Sequence, residues 1–312
     1  MNTSQIMRWV ILALLPGTAA YAWVYGGGVL WNAAILVAAC SAVEAICIAL
    51  RDEQQALGVI DTLADGSAVL TALLIAICLP PFVDLHVLLV AALASIGLAK
   101  HAYGGLGQNT FNPAMVGYAV ILVSYPEALT VWPQLSAEPD TLTGATLLTQ
   151  FRYREALTTA EFAAQYAADS GQTGLVALAY LLGGLFLIYK RIIAWRIPIT
   201  LLLAVGVCAI LANDQGSSQS HGSLVFHWTA GGLVAAAFFV ATDPITHPTR
   251  ASHQFLFAAI VGVLLFWIRA WGSFPDGIAF AVLLGNCVTP LLNRLHRHYL
   301  SERHPQIEKL GA

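Results

Sequence analysis

The sequence predicts an all-α integral membrane protein: about ten transmembrane helices in two inverted five-helix repeats, with one extracytoplasmic loop. Three observations carry this. Of 312 residues, 58% are hydrophobic and only 10% charged. A soluble domain carries roughly 25% charged residues, so these charges cannot cover a water-facing surface of this size. Apolar runs recur along the whole chain, and only one long polar stretch, about residues 127 to 172, interrupts them.

The apolar segments lie at about 8–24, 28–50, 66–82, 84–100, 113–126, 173–190, 197–213, 225–242, 253–271 and 276–293. Arg8, the first run and Ala20-Tyr21-Ala22 imitate a signal peptide with an A-x-A cleavage site, but the first segment is expected to be a retained helix. Several segments fall short of the roughly 20 residues that span a bilayer. The fifth is the shortest and follows Gly104-Gly105-Leu106-Gly107. A short span behind a glycine-rich break predicts a discontinuous helix whose irregular backbone lines a buried site. The chain thus divides into a first repeat, 1–126, a loop, 127–172, and a second repeat with a short tail, 173–312.

Orientation follows from Lys and Arg in the short connections. With the N-terminus inside and sides alternating, Arg8, Arg51, Lys100, Lys190, Arg191, Arg196, Arg250, Arg294, Arg297, Arg303 and Lys309 fall inside. Only Arg152, Arg154 and Arg269 fall outside. Both termini are therefore expected in the cytoplasm and the 127–172 loop on the outer face. The repeat is visible as a shared pattern of Phe/Pro turn, apolar helix and terminal Pro. It leads from Phe111-Asn112-Pro113-Ala114 and again from Phe274-Pro275-Asp276-Gly277. The third segment ends Leu79-Pro80-Pro81 and the eighth ends Thr242-Asp243-Pro244. Units of five spans must be inverted relative to one another, and such repeats hold a site at their interface.

Several constellations stand out. Gln108, Asn109 and Asn112, next to Pro113, offer donors and acceptors at membrane depth, where unpaired amides are costly. They read as a pocket for a flat, hydrogen-bonding ligand, as an ion path, or as amides that satisfy helix ends. Glu44 lies about two turns inside the second segment, a costly position for a lone carboxylate and hence a candidate for an ion pathway. Asp61, Asp65, Asp243 and Asp276 stand at segment ends and read as caps; Asp243 also opens a polar kinked connection that borders the cytoplasm. His221, His227, His296, His298 and His304 read as a solvated face. The five cysteines lie in apolar runs and read as small hydrophobes. No Walker loop, dinucleotide fingerprint, nucleophile elbow or HExxH occurs.

Within the loop, Thr141, Thr143, Thr146 and Thr149 crowd around Gly144-Ala145, preceded by Asp140. On the bare residues this is a cap or hydroxyl turn at the start of the run Ala145–Phe151. It is also an accessible hydroxyl beside a carboxylate.

The combination of Asp140-x-x-Thr143-Gly144-Ala145-Thr146, GGLGQNTFNPAM, DGSAVLTALLIAICLPP, FFVATDP and PDGIAFAVLLGN resembles the D subunit of the Rnf (Rsx) electron-transport complex. It is similar as well to the B subunit of the sodium-pumping NADH:quinone reductase. The likeness covers essentially the whole chain; the long N-terminal extension of the latter is missing, which favours the former. The resemblance implies FMN joined by a phosphoester to Thr146. Asp140, Thr143, Gly144 and Ala145 would be the signal read by a flavin transferase working outside the cytoplasm. It also implies a second, non-covalent flavin, riboflavin, within the membrane, for which Asn109, Asn112 and Pro113 are the candidate residues, with Asp243 beside them. The chain would then be a subunit, not catalytic alone, of an inner-membrane translocase. At the level of the complex, electrons would pass between ferredoxin and NAD while Na⁺ or H⁺ moves. Its partners would be lipid and the other Rnf subunits (A, B, C, E and G), with the G-type flavoprotein closest in electron transfer on the periplasmic face; nucleic acid is not among them. A channel or secondary transporter without redox role is the alternative, in which Thr146 is only a cap.

Overall fold

The computed structural model describes residues 3–50, 64–133, 143–154 and 156–303 of the chain. It is mostly helical. Among the described residues, four helices are long and apolar enough to cross a membrane: α1 (Thr3–Tyr25), α2 (Gly28–Ala49), α9 (Ala167–Tyr189) and α13 (Ala251–Trp271). Shorter apolar helices are α3 (Ser67–Ala76), α4 (Leu85–His101), α5 (Pro113–Ser124) and α10 (Arg196–Leu211), and the final helix α14 (Ile278–Arg303) is apolar over Ile278–Arg294. Between α5 and α9 lie the short helices α6 (Pro126–Thr130), α7 (Leu147–Arg152) and α8 (Thr159–Gln165). A two-residue pairing joins β1 (Trp132–Pro133) to β2 (Thr143–Gly144).

Local chemistry sets the boundaries. α3 ends at Ala76, six residues before the apolar run does, because Pro80 and Pro81 supply no N–H and restrict the residue before them. The turn that follows is held by buried Asn32, which donates to the Pro80 carbonyl (2.8 Å) and accepts from the Val83 N–H (3.1 Å). α14 continues ten residues past the apolar run, to Arg303, since the basic residues there are adequate helix formers. The helix break expected before α5 is present: Gly104, Gly105 and Gly107 all take positive φ. A second break was not anticipated. The eighth apolar segment splits into α11 (Leu224–Thr229), α12 (Leu233–Ala235) and a π-helical turn, Ala236–Val240. Its cause is Gly231, whose φ of +70° only glycine adopts cheaply.

The helices pack through small residues, as membrane helices do when lipid supplies no hydrophobic driving force between them. α1 and α9 run antiparallel: Trp9 meets Phe186, and Tyr180 covers Gly17. A Cβ on Gly183 would lie 2.0 Å from the Ala13 carbonyl oxygen, and one on Gly184 2.3 Å from the Phe238 ring. α10 and α13 approach likewise at Gly262, where a Cβ would meet the Leu201 carbonyl at 2.8 Å. Outward faces are apolar: Leu178, Leu182 and Leu185 on α9, Leu203 and Val207 on α10, Val263 and Trp267 on α13 are exposed. In water such a belt would be an aggregation liability; against lipid it is the ordinary outer surface.

Long-range hydrogen bonds sort the connections to two ends. Arg152 donates to the Arg269 carbonyl (2.5 Å) and Arg154 to that of Ser218 (2.9 Å), so 143–165, 212–223 and 270–277 share what we call the loop end. Ser4 donates to the Ala64 carbonyl (3.3 Å), and Asn286 to that of Thr246 (3.3 Å) at the opposite end, which also holds 102–112.

Candidate functional site

The loop end carries the first candidate. Residue Thr146 has extended backbone (φ −60°, ψ 155°) and caps α7: its Oγ1 accepts from the Thr149 N–H (3.2 Å) and lies 2.9 Å from Thr149 Oγ1. Capping does not bury the residue: Thr146 is half-buried and lines a cavity. The β1–β2 pairing fixes the turn from behind, with Trp132 opposite Gly144 and Pro133 opposite Thr143. Of the motif, Asp140 lies outside the described residues, and Thr143 and Gly144 are described by their backbone alone. Buried Leu148 and Phe151 root α7, and Phe151 packs on Phe162 and Phe226. The Arg154 guanidinium lies 3.9 Å over the Phe151 ring. Arg152 and Arg154, counted from the sequence among the outer charges, clamp backbone carbonyls.

Thr146 and Ala145 line a cavity of about 1180 Å³, open mouth included. Its walls are largely apolar and aromatic: Tyr21, Tyr25, Tyr118, Trp132, Val176 and Tyr180. Two carboxylates reach it. Asp276 is spoken for: Arg269 grips it with two bonds (2.9 and 2.8 Å), and the N–H groups of Gly277 (2.7 Å) and Gly232 (3.3 Å) donate to it. Asp169, in the first turn of α9, is buried, and its Oδ1 has no hydrogen-bond partner among the described residues. His227 is not part of a solvated face: it is buried, with Nε2 2.8 Å from the His221 carbonyl. His221 packs at a tilt against Trp271, and burial, then the Arg154 cation, holds its ring below the usual imidazole range.

The opposite end carries the second candidate, a cavity of about 840 Å³. Asn109, Asn112, Pro113 and Asp243, separated by up to 134 positions in sequence, converge on its wall with Ser67 and Lys100. Asn112 caps α5, accepting from Met115 N–H (3.2 Å), while its amide nitrogen faces the Val240 carbonyl (3.4 Å) and Asp243 Oδ2 (3.5 Å). Its own N–H donates to Asn286 Oδ1 (3.0 Å). Asn109 donates to the Phe111 carbonyl (3.0 Å), and its buried Oδ1 has no partner among the described residues. Asp243 accepts from the Ile245 N–H and the Thr246 hydroxyl, both at 3.2 Å.

Glu44 is not alone. Lys100 donates to its Oε1 and, at 2.6 Å, to Ser67 Oγ, and the His101 ring lies 3.5 Å from the same carboxylate. Glu44 and Lys100 are fully enclosed. Lys100, counted as a cytoplasmic loop charge, is thus a buried partner. The signal was available: Glu44 lies five residues before the end of α2 and Lys100 one before the end of α4, both at the opposite end. Asp169 carried no comparable signal, since a carboxylate at a helix start reads as a cap.

Both cavities suit a flat ring with a polar edge. Each offers apolar walls and, among the described residues, a buried side-chain acceptor without a donor, Asp169 Oδ1 in one and Asn109 Oδ1 in the other. At the first cavity the Thr146 hydroxyl stands among the lining residues.

The sequence model of the NQR2, RnfD, RnfE family matches residues 1–300. Among curated proteins, the chain is 40% identical to the D subunit of the ion-translocating oxidoreductase complex of Pseudomonas aeruginosa (strain PAO1), over 97% of this chain and 94% of the relative. It is 38% identical to the protein of that description in Ectopseudomonas mendocina, over 94% and 90% of the two chains. The Vibrio cholerae protein so described is 35% identical, over 94% and 93%. The chain therefore belongs to the NQR2, RnfD, RnfE family.

Proposed function

We propose that this chain is the D subunit of an ion-translocating electron-transport complex, that it carries FMN on Thr146, and that a second, non-covalent flavin occupies the opposite-end cavity. The observation that carries this is the Thr146 hydroxyl at the rim of an aromatic cavity that has a buried, unmatched acceptor. The relatives' description supplies the coupling of redox chemistry to ion movement.

A bound flavin would supply one- and two-electron exchange. The chain's own residues do the rest. Thr146 is the tether. Trp132, Tyr25 and Tyr118 exclude water from the first cavity. At the second, Asn109 and Asn112 present amide groups to a neutral heterocycle. α1 and α9 border the first cavity through Tyr21 and Tyr180, and α1 continues to the second through Ile6 and Met7, so the two sites share one rigid wall.

We read the helices as ten spans in two inverted halves. Two features support this. Gly66, at positive φ, opens the third span of the first half, and Gly231, also at positive φ, breaks the third span of the second. Lys100 and Arg269, buried cations at the ends of the fourth helices, each hold a carboxylate, at opposite ends of the molecule. Together with the Lys and Arg distribution, they support a loop on the periplasmic side of an inner membrane, within reach of a flavin transferase and a flavoprotein subunit.

The test is in-gel fluorescence of the denatured chain from cells containing the transferase. A band present in the wild type and absent in Thr146→Val supports the reading. A dark wild-type band overturns it in favour of a transporter without redox role.

A further inference from the structure

We infer that Asp169 anchors the imide edge of the flavin carried on Thr146, fixing that ring's orientation and lowering its potential. The inference rests on the Thr146 reading. Asp169 is 4% exposed, lines the same cavity as Thr146, and keeps Oδ1 without a donor among the described residues. A buried acceptor without a donor is costly, and native structures keep few of them unless something binds there. The other acidic group at this cavity, Asp276, already takes two bonds from Arg269 and two from backbone N–H groups. Thr173, one turn further along α9, lines the cavity too but donates its hydroxyl to the Ser170 carbonyl (3.1 Å).

The isoalloxazine ring has one apolar dimethylbenzene end and one polar end, where a single imide N–H stands between two carbonyls. A carboxylate accepts only, so Asp169 matches the N–H. Tyr21, Tyr25, Tyr118 and Trp132 match the remainder of the ring. A hydrogen bond from the imide to a carboxylate, with that negative charge beside it, opposes the electron density gained on reduction. Asp169 thus acts as a positioning residue for the tethered ring.

The experiment compares the purified complex carrying wild type, Asp169→Asn and Asp169→Leu. The spectrum of the Thr146→Val complex is subtracted from each to isolate the tethered flavin. Asp169→Asn keeps shape and an acceptor while removing the charge. The fluorescent band should persist, and the reduction equilibrium should shift about tenfold toward the reduced form, about 30 mV for a two-electron couple. Asp169→Leu should shift it at least as far and change the ring's absorbance envelope. An unchanged potential with the band intact overturns the assignment. Loss of the band in Asp169→Asn also overturns it, since the residue would then serve attachment. A dark wild-type band removes both this inference and the Thr146 reading.

Discussion

Replacing Glu44 by Gln should damage this protein far more than an isolated buried carboxylate would predict, because it strands a lysine. Glu44 is 0% and Lys100 1% exposed. Once the carboxylate is replaced by an amide, the Lys100 ammonium keeps neutral acceptors, the amide oxygen and the Ser67 hydroxyl at 2.6 Å, but loses the counter-charge it is paired with. Breaking a buried pair by removing one partner costs about 3–5 kcal/mol, whereas replacing both by apolar groups is often nearly neutral. The expected order of stability is therefore wild type, then E44Q/K100M close behind, then E44Q well below. The coupling energy in the cycle should reach about 2 kcal/mol or more. The assay is loss of folded, monodisperse complex on heating in detergent, measured for all four members of the cycle. If E44Q matches the wild type, or if the double mutant is as poor as the sum of the singles, the buried pair is not what holds α2 to α4, and Glu44 returns to being an unpaired ion-pathway group.

Other perturbations have equally definite outcomes. Gly183→Ala forces a methyl against the Ala13 carbonyl 2.0 Å away; overpacking of this kind costs about 1–3 kcal/mol, and the yield of folded protein should fall accordingly. Asn109→Leu should release the non-covalent flavin, seen as lost acid-extractable flavin, while the Thr146 band stays bright. Thr158→Ala removes a complete capping box with Glu161 and should destabilise α8 by about 1 kcal/mol, read as faster proteolysis of the loop. His221 is held below its unfolded value, so the unfolded chain binds more protons just below neutrality. Stability from this group is present above the unfolded value and lost as pH falls, and His221→Asn should flatten that part of the thermal-midpoint profile.

The helices were legible because apolar runs and proline stops are local. Asn112 before Pro113 announces the start of α5, and Pro80-Pro81 the end of α3, in the chain itself. The convergence of Asn109, Asn112, Pro113 and Asp243 on one cavity was half legible, since each marks a helix end but nothing local says that 112 meets 243. What stayed hidden is pairing. Glu44 reads as a lone charge, and Lys100 and Arg152 as loop charges, because the partners lie 56 positions or more away. The break at Gly231 was missed because Gly-Gly in an apolar run reads equally as close helix packing, until its φ of +70° is known. Ala145 and Thr146 look like a capped turn in the sequence and are one; what lifts them is the cavity beneath, assembled from α1, α5, α9 and the 272–277 turn.

The central claim, a chain with one tethered and one free flavin, is met most directly by mass spectrometry of the intact subunit, with its acid-extractable flavin counted in the same sample. The account predicts a single FMN-derived adduct on the peptide containing Thr146 and one riboflavin released per chain. An unmodified chain, from cells in which the transferase is active, would contradict it.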